Sequence, residues 1–245
     1  MPSTLESFTP LTETFEHQSS LRSISTLDSG RAAASPAKRL FDIVFALFGL
    51  IVTGPMLLAS CLAIALESSG SPLFVQKRVG RKGKVFNIYK LRTMHCDSHT
   101  AGFKTAKDDQ RLTSVGSFLR LTNLDELPQL INILLGDMSL IGPRPLSVDE
   151  TEYIKGTLQV SSSYAGFSPH SRPGLVGLEQ INRNRELTYF ERFEYNHEYE
   201  ASWSVVLDVQ IFARSLFMCK HVSIAGGVGL VALIFATLQC IHVFG

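Results

Sequence analysis

Apolar and polar positions along the chain fall into blocks of very different texture. Residues 1–37 are rich in Ser and Thr, with scattered Pro and no continuous apolar run. That composition predicts a disordered tail, and the absence of an apolar h-region excludes a signal peptide. Ile43 to Leu66 is then an uncharged stretch of 24 residues, long enough to cross a bilayer as a helix, with Asp42 just before it. Gly54-Pro55 lies near its middle, and a proline there removes a backbone hydrogen bond and crowds the preceding turn. A break at Pro55 is therefore expected. Leu73–Val79 and Val85–Leu91 read as strands joined by Gly80-Arg81-Lys82-Gly83-Lys84, a hairpin whose first strand puts Gln76 and Arg78 on one face. Lys90 and Arg92 share a face of the second. Leu127, Leu130, Ile131, Leu134 and Leu135 recur at helical spacing and predict a helix beginning at Asn123 or Leu124. Phe190–Tyr199 reads as a short amphipathic helix and Trp203–Met218 as an interfacial one. Val222–Gly245, again 24 uncharged residues, reads as a hydrophobic membrane segment, an embedded helix or a tail lying in the interface.

Charge changes this picture because it is unevenly spread. The net charge is only +1, yet residues 71–120 hold eleven Lys and Arg against three Asp. Such a block fits phosphate, nucleic acid or an anionic membrane surface, unless it is simply a solvated face. Sparse aromatic interleaving and the apolar segment argue against nucleic acid. Lys38 and Arg39 precede the apolar segment, and Lys77, Arg78, Arg81, Lys82 and Lys84 follow it. With both flanks basic, the positive-inside bias favours a helix-break-helix that enters and leaves by one face. A kinked full crossing and a buried core helix are the alternatives. Cys61, Cys96, Cys219 and Cys240 lack metal-ligand spacing, so neither a zinc site nor a disulfide framework is expected, in keeping with a reducing compartment.

Candidate chemistry centres on Asp125-Glu126, two adjacent carboxylates in an apolar stretch just after the cationic one. At a helix start the dipole would favour their charge. A carboxylate can act as a nucleophile toward phosphorus, and a neighbouring one can hold Mg²⁺, a hard cation that prefers oxygen ligands. Gly142-Pro143-Arg144-Pro145 and Arg172-Pro173-Gly174 are stiff turns that hold a guanidinium suited to bidentate phosphate contact. The elements together suggest phosphoryl-type transfer at a membrane surface.

Several motifs then occur in order: Lys38-Arg39…Asp42, Gln76-Lys77-Arg78-Val79-Gly80, Tyr89-Lys90-Leu91-Arg92-Thr93-Met94, Arg111…Leu119-Arg120, Asp125-Glu126, the Gly136–Pro145 stretch, Arg172-Pro173-Gly174…Gln180 and Trp203…Asp208. Over about residues 37–220 the chain resembles the bacterial sugar transferases, monotopic phosphoglycosyl transferases. The resemblance implies transfer of a sugar-1-phosphate from a UDP-sugar to undecaprenyl or another polyprenyl phosphate, with release of UMP. It implies Asp125 as nucleophile and Glu126 as Mg²⁺ ligand. Lys90, Arg92, Arg111, Arg120 and Arg144 would bind phosphates, and Arg172, Gln180, Arg183 and Asn196 would shape the donor pocket. Pro55 would be the break of a re-entrant hairpin in the bacterial inner membrane, with the catalytic domain on the cytoplasmic face. Membrane lipid and the later glycosyltransferases of a glycan pathway would be its partners.

The expected fold is α+β: a small, mostly helical cytoplasmic domain with a β-hairpin, carried on a Pro-broken re-entrant helix. Its divisions would be 1–37 tail, 38–70 membrane element, 71–220 catalytic domain and 221–245 terminal membrane segment. The chain departs from the family pattern at Arg183-Asn184-Arg185, at Asn196, where Asp is usual, and at Val176, where Thr is usual. A weakened relative acting as a partner-binding subunit is the alternative.

Overall fold

Helix α1 (Pro36–Glu67) begins where local chemistry says it should. Ser35 caps it by accepting from the Lys38 amide at 3.3 Å, and Pro36 sits in the first turn, where a missing N–H costs nothing. The computed structural model describes residues 35–96, 109, 111–158, 169–182 and 187–217. The expected 1–37 tail therefore falls almost wholly outside the described residues, and the 221–245 segment entirely so.

Helical backbone runs unbroken through Pro55 over 32 residues, so no gap separates two helices as the expected helix-break-helix had it, and Pro55 stands as the point for a bend within one helix. One proline removes a single donor, and two residues before it Thr53 Oγ1 donates back to the Gly49 carbonyl at 2.7 Å, a contact that favours bending. The packed face of α1 carries Lys38, Asp42, Ala46, Gly49, Thr53, Ser60 and Ile64 at three-, four- and seven-residue intervals. These are mostly small or polar. Many of the large apolar residues point away from the domain: Leu40, Val44, Leu47, Ile51, Leu58, Leu62 and Leu66 are each more than half exposed. The amphipathic order of a soluble protein is inverted here.

After α1, strands β1 (Leu73–Val79) and β2 (Val85–Leu91) pair antiparallel with the expected bounds, Phe74 opposite Lys90 and Arg78 opposite Phe86. Directly opposed residues share a face, so Gln76, Arg78, Phe86, Ile88 and Lys90 look the same way. Phe86 and Ile88 are buried, so that face meets the core. Helix α2 (Ser114–Thr122) follows, then a 3₁₀ turn at Leu124–Glu126 and helix α3 (Gln129–Leu135). A short parallel pair, β3 (Ser139–Ile141) with β4 (Gly174–Val176), was not foreseen. Helix α4 (Val148–Leu158) lies between those strands in sequence. Helices α5 (Leu178–Ile181), α6 (Tyr189–Ser202) and α7 (Val205–Phe217) complete the described chain.

A main core joins most of these elements, and a smaller cluster packs Ile154 of α4 against Phe193 of α6. Leu119, Leu127, Ile133, Met138 and Ile141 are almost wholly buried against Ile88, Leu91 and the packed face of α1. Truncating any one of them to Ala costs about 2–5 kcal/mol in comparable cores. Gly49 lets α1 approach α3, because a Cβ there would stand 3.0 Å from Leu130 Cδ1.

Both ends of α1 are tied to this same body. Lys38 Nζ donates to the Ile141 carbonyl at 2.9 Å and to Asp208 Oδ2 at 2.6 Å. Arg39 closes the C-terminus of α3, donating to the carbonyls of Ile133 and Leu134 at 2.6 and 2.9 Å. At the far end Glu67 accepts from the amide of Ser114 at 2.7 Å, and Arg92 donates to the carbonyls of Ser68 and Ser69.

Candidate active site

Proline chemistry sets the site's backbone. Asn123 ends α2 in the left-handed region, at φ +55°. Pro128 has no N–H to return to Leu124, so the segment closes by three-residue steps: Leu127 N–H reaches the Leu124 carbonyl at 3.2 Å. Asp125 and Glu126 therefore sit in a 3₁₀ turn ahead of α3 rather than in its first helical turn. This corrects the single helix expected from Asn123 or Leu124. Both side chains are buried, Asp125 to 6% exposure and Glu126 to 2%. Two carboxylates in such a place need cations nearby.

Those cations come from different elements. Lys90, at the end of β2, bonds Glu126 Oε1 at 2.7 Å. Arg120, from the last turn of α2, lies within charge range of Asp125 and Glu126, and its Nε donates to Thr93 Oγ1 at 2.9 Å. Burial lowers the Arg120 pKa, and the Asp125 charge works against that shift. Gly116 permits the close packing of α2 on the Thr93 segment, since a Cβ there would collide with the Thr93 carbonyl. Arg111 clasps Asp109, whose carboxyl it holds down at about 2.

On the Glu126 side a polar pocket opens between the hairpin and the 142–145 loop, lined by Arg78, Ile88, Lys90, Glu126, Gln129, Arg144, Pro145, Gly174 and Leu175. Lys90, Glu126 and Arg144 are thus brought together. Arg78 belongs with them; the sequence placed it on one face of β1 with Gln76 but did not assign it to the site. The strand alternation that puts it on the face of Ile88 and Lys90 was the available clue.

Other expected residues are engaged elsewhere. Arg92 holds the end of α1 by Ser68 and Ser69 and also donates to Cys96 Sγ at 3.0 Å. Arg172 Nε donates to the Gly136 carbonyl at 2.9 Å, at the close of α3. Gln180 Oε1 accepts from the Gly177 amide at 2.5 Å, capping α5. Asn196 is half-buried within α6, and Arg183 lies outside the described residues.

Mg²⁺ demands little from protein when phosphates are present: one or two carboxylates suffice. Among the described residues no group of three or more His, Cys, Asp or Glu could cage a metal by itself. Glu126, which lines the pocket, fits that sparser mode, its Oε1 now being held by Lys90.

The bacterial sugar transferase family profile matches residues 33–221. The chain belongs to this family. Among similar curated proteins is the UDP-glucose:undecaprenyl-phosphate glucose-1-phosphate transferase of Caulobacter vibrioides, 39% identical over 193 residues, covering 76% of this chain and 70% of that protein. The exopolysaccharide production protein ExoY of Sinorhizobium fredii is 35% identical over 196 residues, covering 74% and 84%. A putative undecaprenyl-phosphate N-acetylgalactosaminyl 1-phosphate transferase of Bacillus subtilis is 48% identical over 121 residues, covering 49% and 68%. As a bacterial sugar transferase, the chain is an enzyme of phosphosugar transfer. The sugars named for these relatives differ, so membership leaves the sugar itself open.

Proposed function

We propose that this enzyme transfers a sugar-1-phosphate from a UDP-sugar to undecaprenyl or a related polyprenyl phosphate, initiating assembly of an exopolysaccharide, O-antigen or similar glycan. The carrying observation is the buried Asp125-Glu126 pair, with Lys90 on one carboxylate and Arg120 beside the other. An Asp125 carboxylate oxygen attacks the sugar-bearing phosphorus. The P–O bond to the nucleotide's phosphate breaks, and UMP departs with the electron pair. An oxygen of the polyprenyl phosphate then attacks the same phosphorus, releasing Asp125 and forming the lipid diphosphosugar. Two successive displacements split one transfer into two easier ones. Lys90, Arg120 and Arg144 steady the shifting phosphate charge, with Arg111 behind Arg120 through Asp109. Mg²⁺ bound to Glu126 would neutralise charge on the donor's diphosphate.

Acceptor chemistry puts the reaction at a lipid surface, and α1 supports that placement. Its outward apolar face is what a bilayer, rather than water, would cover. Drawn out straight, the 32 residues of α1 would span about 48 Å. Its two ends nevertheless bond one folded body, at Ile141 and Ile133 on one side and Ser114 on the other. A crossing that left its ends on opposite faces would separate those contacts. We therefore read residues 38–70 as an element that enters and leaves by the cytoplasmic face of the inner membrane. Residues 71–220 form the catalytic domain on that face, handing product to later glycosyltransferases.

Incubating membranes that contain the protein with a panel of radiolabelled UDP-sugars tests the reading. Label should move into solvent-extractable lipid with matching release of UMP. Absence of both with every donor would overturn it.

A further inference from the structure

Arg78 is bonded at two of its three nitrogens, yet the third faces no partner. Its Nη1 donates to the Pro145 carbonyl at 2.9 Å and its Nη2 to Gln76 Oε1 at 2.7 Å. The strand itself is tied to the same loop: Val79 N–H donates to the Leu146 carbonyl at 2.9 Å, and Arg78 bridges to Ser147. Both bonds hold the guanidinium at the pocket wall. Its Nε–H is sealed from solvent and meets no acceptor among the described residues. Such a donor is costly unless a ligand completes it.

Arg144, across the pocket, also has no hydrogen-bond or ion-pair partner among the described residues. The two like charges are close enough to act on each other. Burial, then Arg144, pulls the Arg78 guanidinium down to about 10, while Glu150 and Glu126 oppose the shift more weakly. Two cations gathered at a polar pocket, one with an orphaned donor, fit an anion between them.

Resting on the transferase reading for the identity of its ligand, we propose that Arg78 joins Arg144 as the second arm of a phosphate subsite, a binding role for a residue otherwise read as part of a strand. Within that reading two phosphates could fill it: the one that leaves with the nucleoside, or the monoester of the polyprenyl acceptor. Both offer the same oxygens. Arg78 Nε and the free Arg144 guanidinium would each donate to them.

The test uses the full chain purified in nanodiscs, with UMP, uridine and a short-chain isoprenyl phosphate as probes. Arg78→Gln should weaken one of the two phosphates about ten- to hundredfold, the range for losing a charge-assisted hydrogen bond. Uridine binding should not change, whereas a general distortion of the pocket would move UMP and uridine together. Loss confined to UMP assigns the subsite to the departing nucleotide, and loss confined to the isoprenyl phosphate assigns it to the acceptor. Unchanged binding of both, or equal loss of UMP and uridine, would overturn the proposal. Should Arg78→Gln not fold, Arg78→Lys keeps a cation beside the loop and is judged by the same contrast. Wild-type phosphate binding with no turnover on any donor would instead sink the transferase reading and leave the subsite standing.

Discussion

Replacing Asp208 by Asn probes the joint between α1 and the domain. Asp208 Oδ2 takes Lys38 Nζ at 2.6 Å and Trp203 Nε1 at 3.1 Å, while Oδ1 takes the Tyr199 hydroxyl at 2.8 Å. The side chains of Lys38 and Asp208 are only 7% and 10% exposed. Asn has nearly the same shape but one acceptor oxygen, so its NH₂ must face either Tyr199 or the Lys38–Trp203 side. Lys38 also loses the Asp208 charge, its directly bonded partner, and keeps the Ile141 carbonyl and the nearby Asp42 charge. Breaking a buried pair from one side costs about 3–5 kcal/mol. For a domain of this size that corresponds to a fall in Tm of about 6–20 °C. Trp203 is the chain's single tryptophan, so its fluorescence reports melting at the joint itself in detergent or nanodisc samples. The double variant Lys38→Met/Asp208→Leu should recover part of the loss, since Tyr199 still reaches the Ile141 carbonyl at 3.1 Å. A Tm for Asp208→Asn within about 2 °C of wild type would refute this account of the joint.

Cysteines placed at Ser35 and Ser71 should both label from the cytoplasm in intact cells; labelling from opposite sides would replace the same-face placement of α1 with a true crossing. Glu126→Gln should weaken the response of turnover to added Mg²⁺, and an unaltered Mg²⁺ titration would remove Glu126 from metal binding. Burial and the Asp208 charge raise the Tyr199 hydroxyl well above its usual value of 10. That contribution is intact below about pH 10 and is lost as pH climbs through the folded-state value, because the unfolded phenol ionises first. Wild type should therefore lose stability above about pH 10 more steeply than Tyr199→Phe, and equal alkaline slopes would contradict the shift.

Much of this was legible from local pattern. The hairpin bounds follow from alternating β-branched and aromatic residues closed by Gly80 and Gly83, and the extent of α1 from its uncharged run. Local rules also suggested a break at Pro55 and a dipole-supported start at Asp125. Packing against α3 and the domain carries the helix through the first. At the second, the lost Pro128 donor substitutes a 3₁₀ turn. Least legible were the fates of the arginines. Arg92 and Arg172 look like ligand-binding cations and Arg39 like a basic membrane flank, yet each bonds the carbonyls of a helix end or the turn after it, 23 to 95 residues away. Arg78 had the opposite fate, drawn into the pocket by the pleat of β1 and a bond to Pro145. Which guanidinium meets a carbonyl and which meets a ligand is decided by long-range contacts that spacing does not encode.

The central claim is that Asp125 carries the phosphosugar between donor and lipid. Quenching the enzyme rapidly after mixing with its UDP-sugar, with acceptor withheld, and mapping peptides by mass spectrometry tests it directly. The account predicts an added hexose-phosphate or corresponding sugar-phosphate mass on the peptide containing Asp125, lost on addition of polyprenyl phosphate and absent in Asp125→Asn. Lipid product formed at full rate by Asp125→Asn, with no adduct on that peptide in wild type, would contradict it.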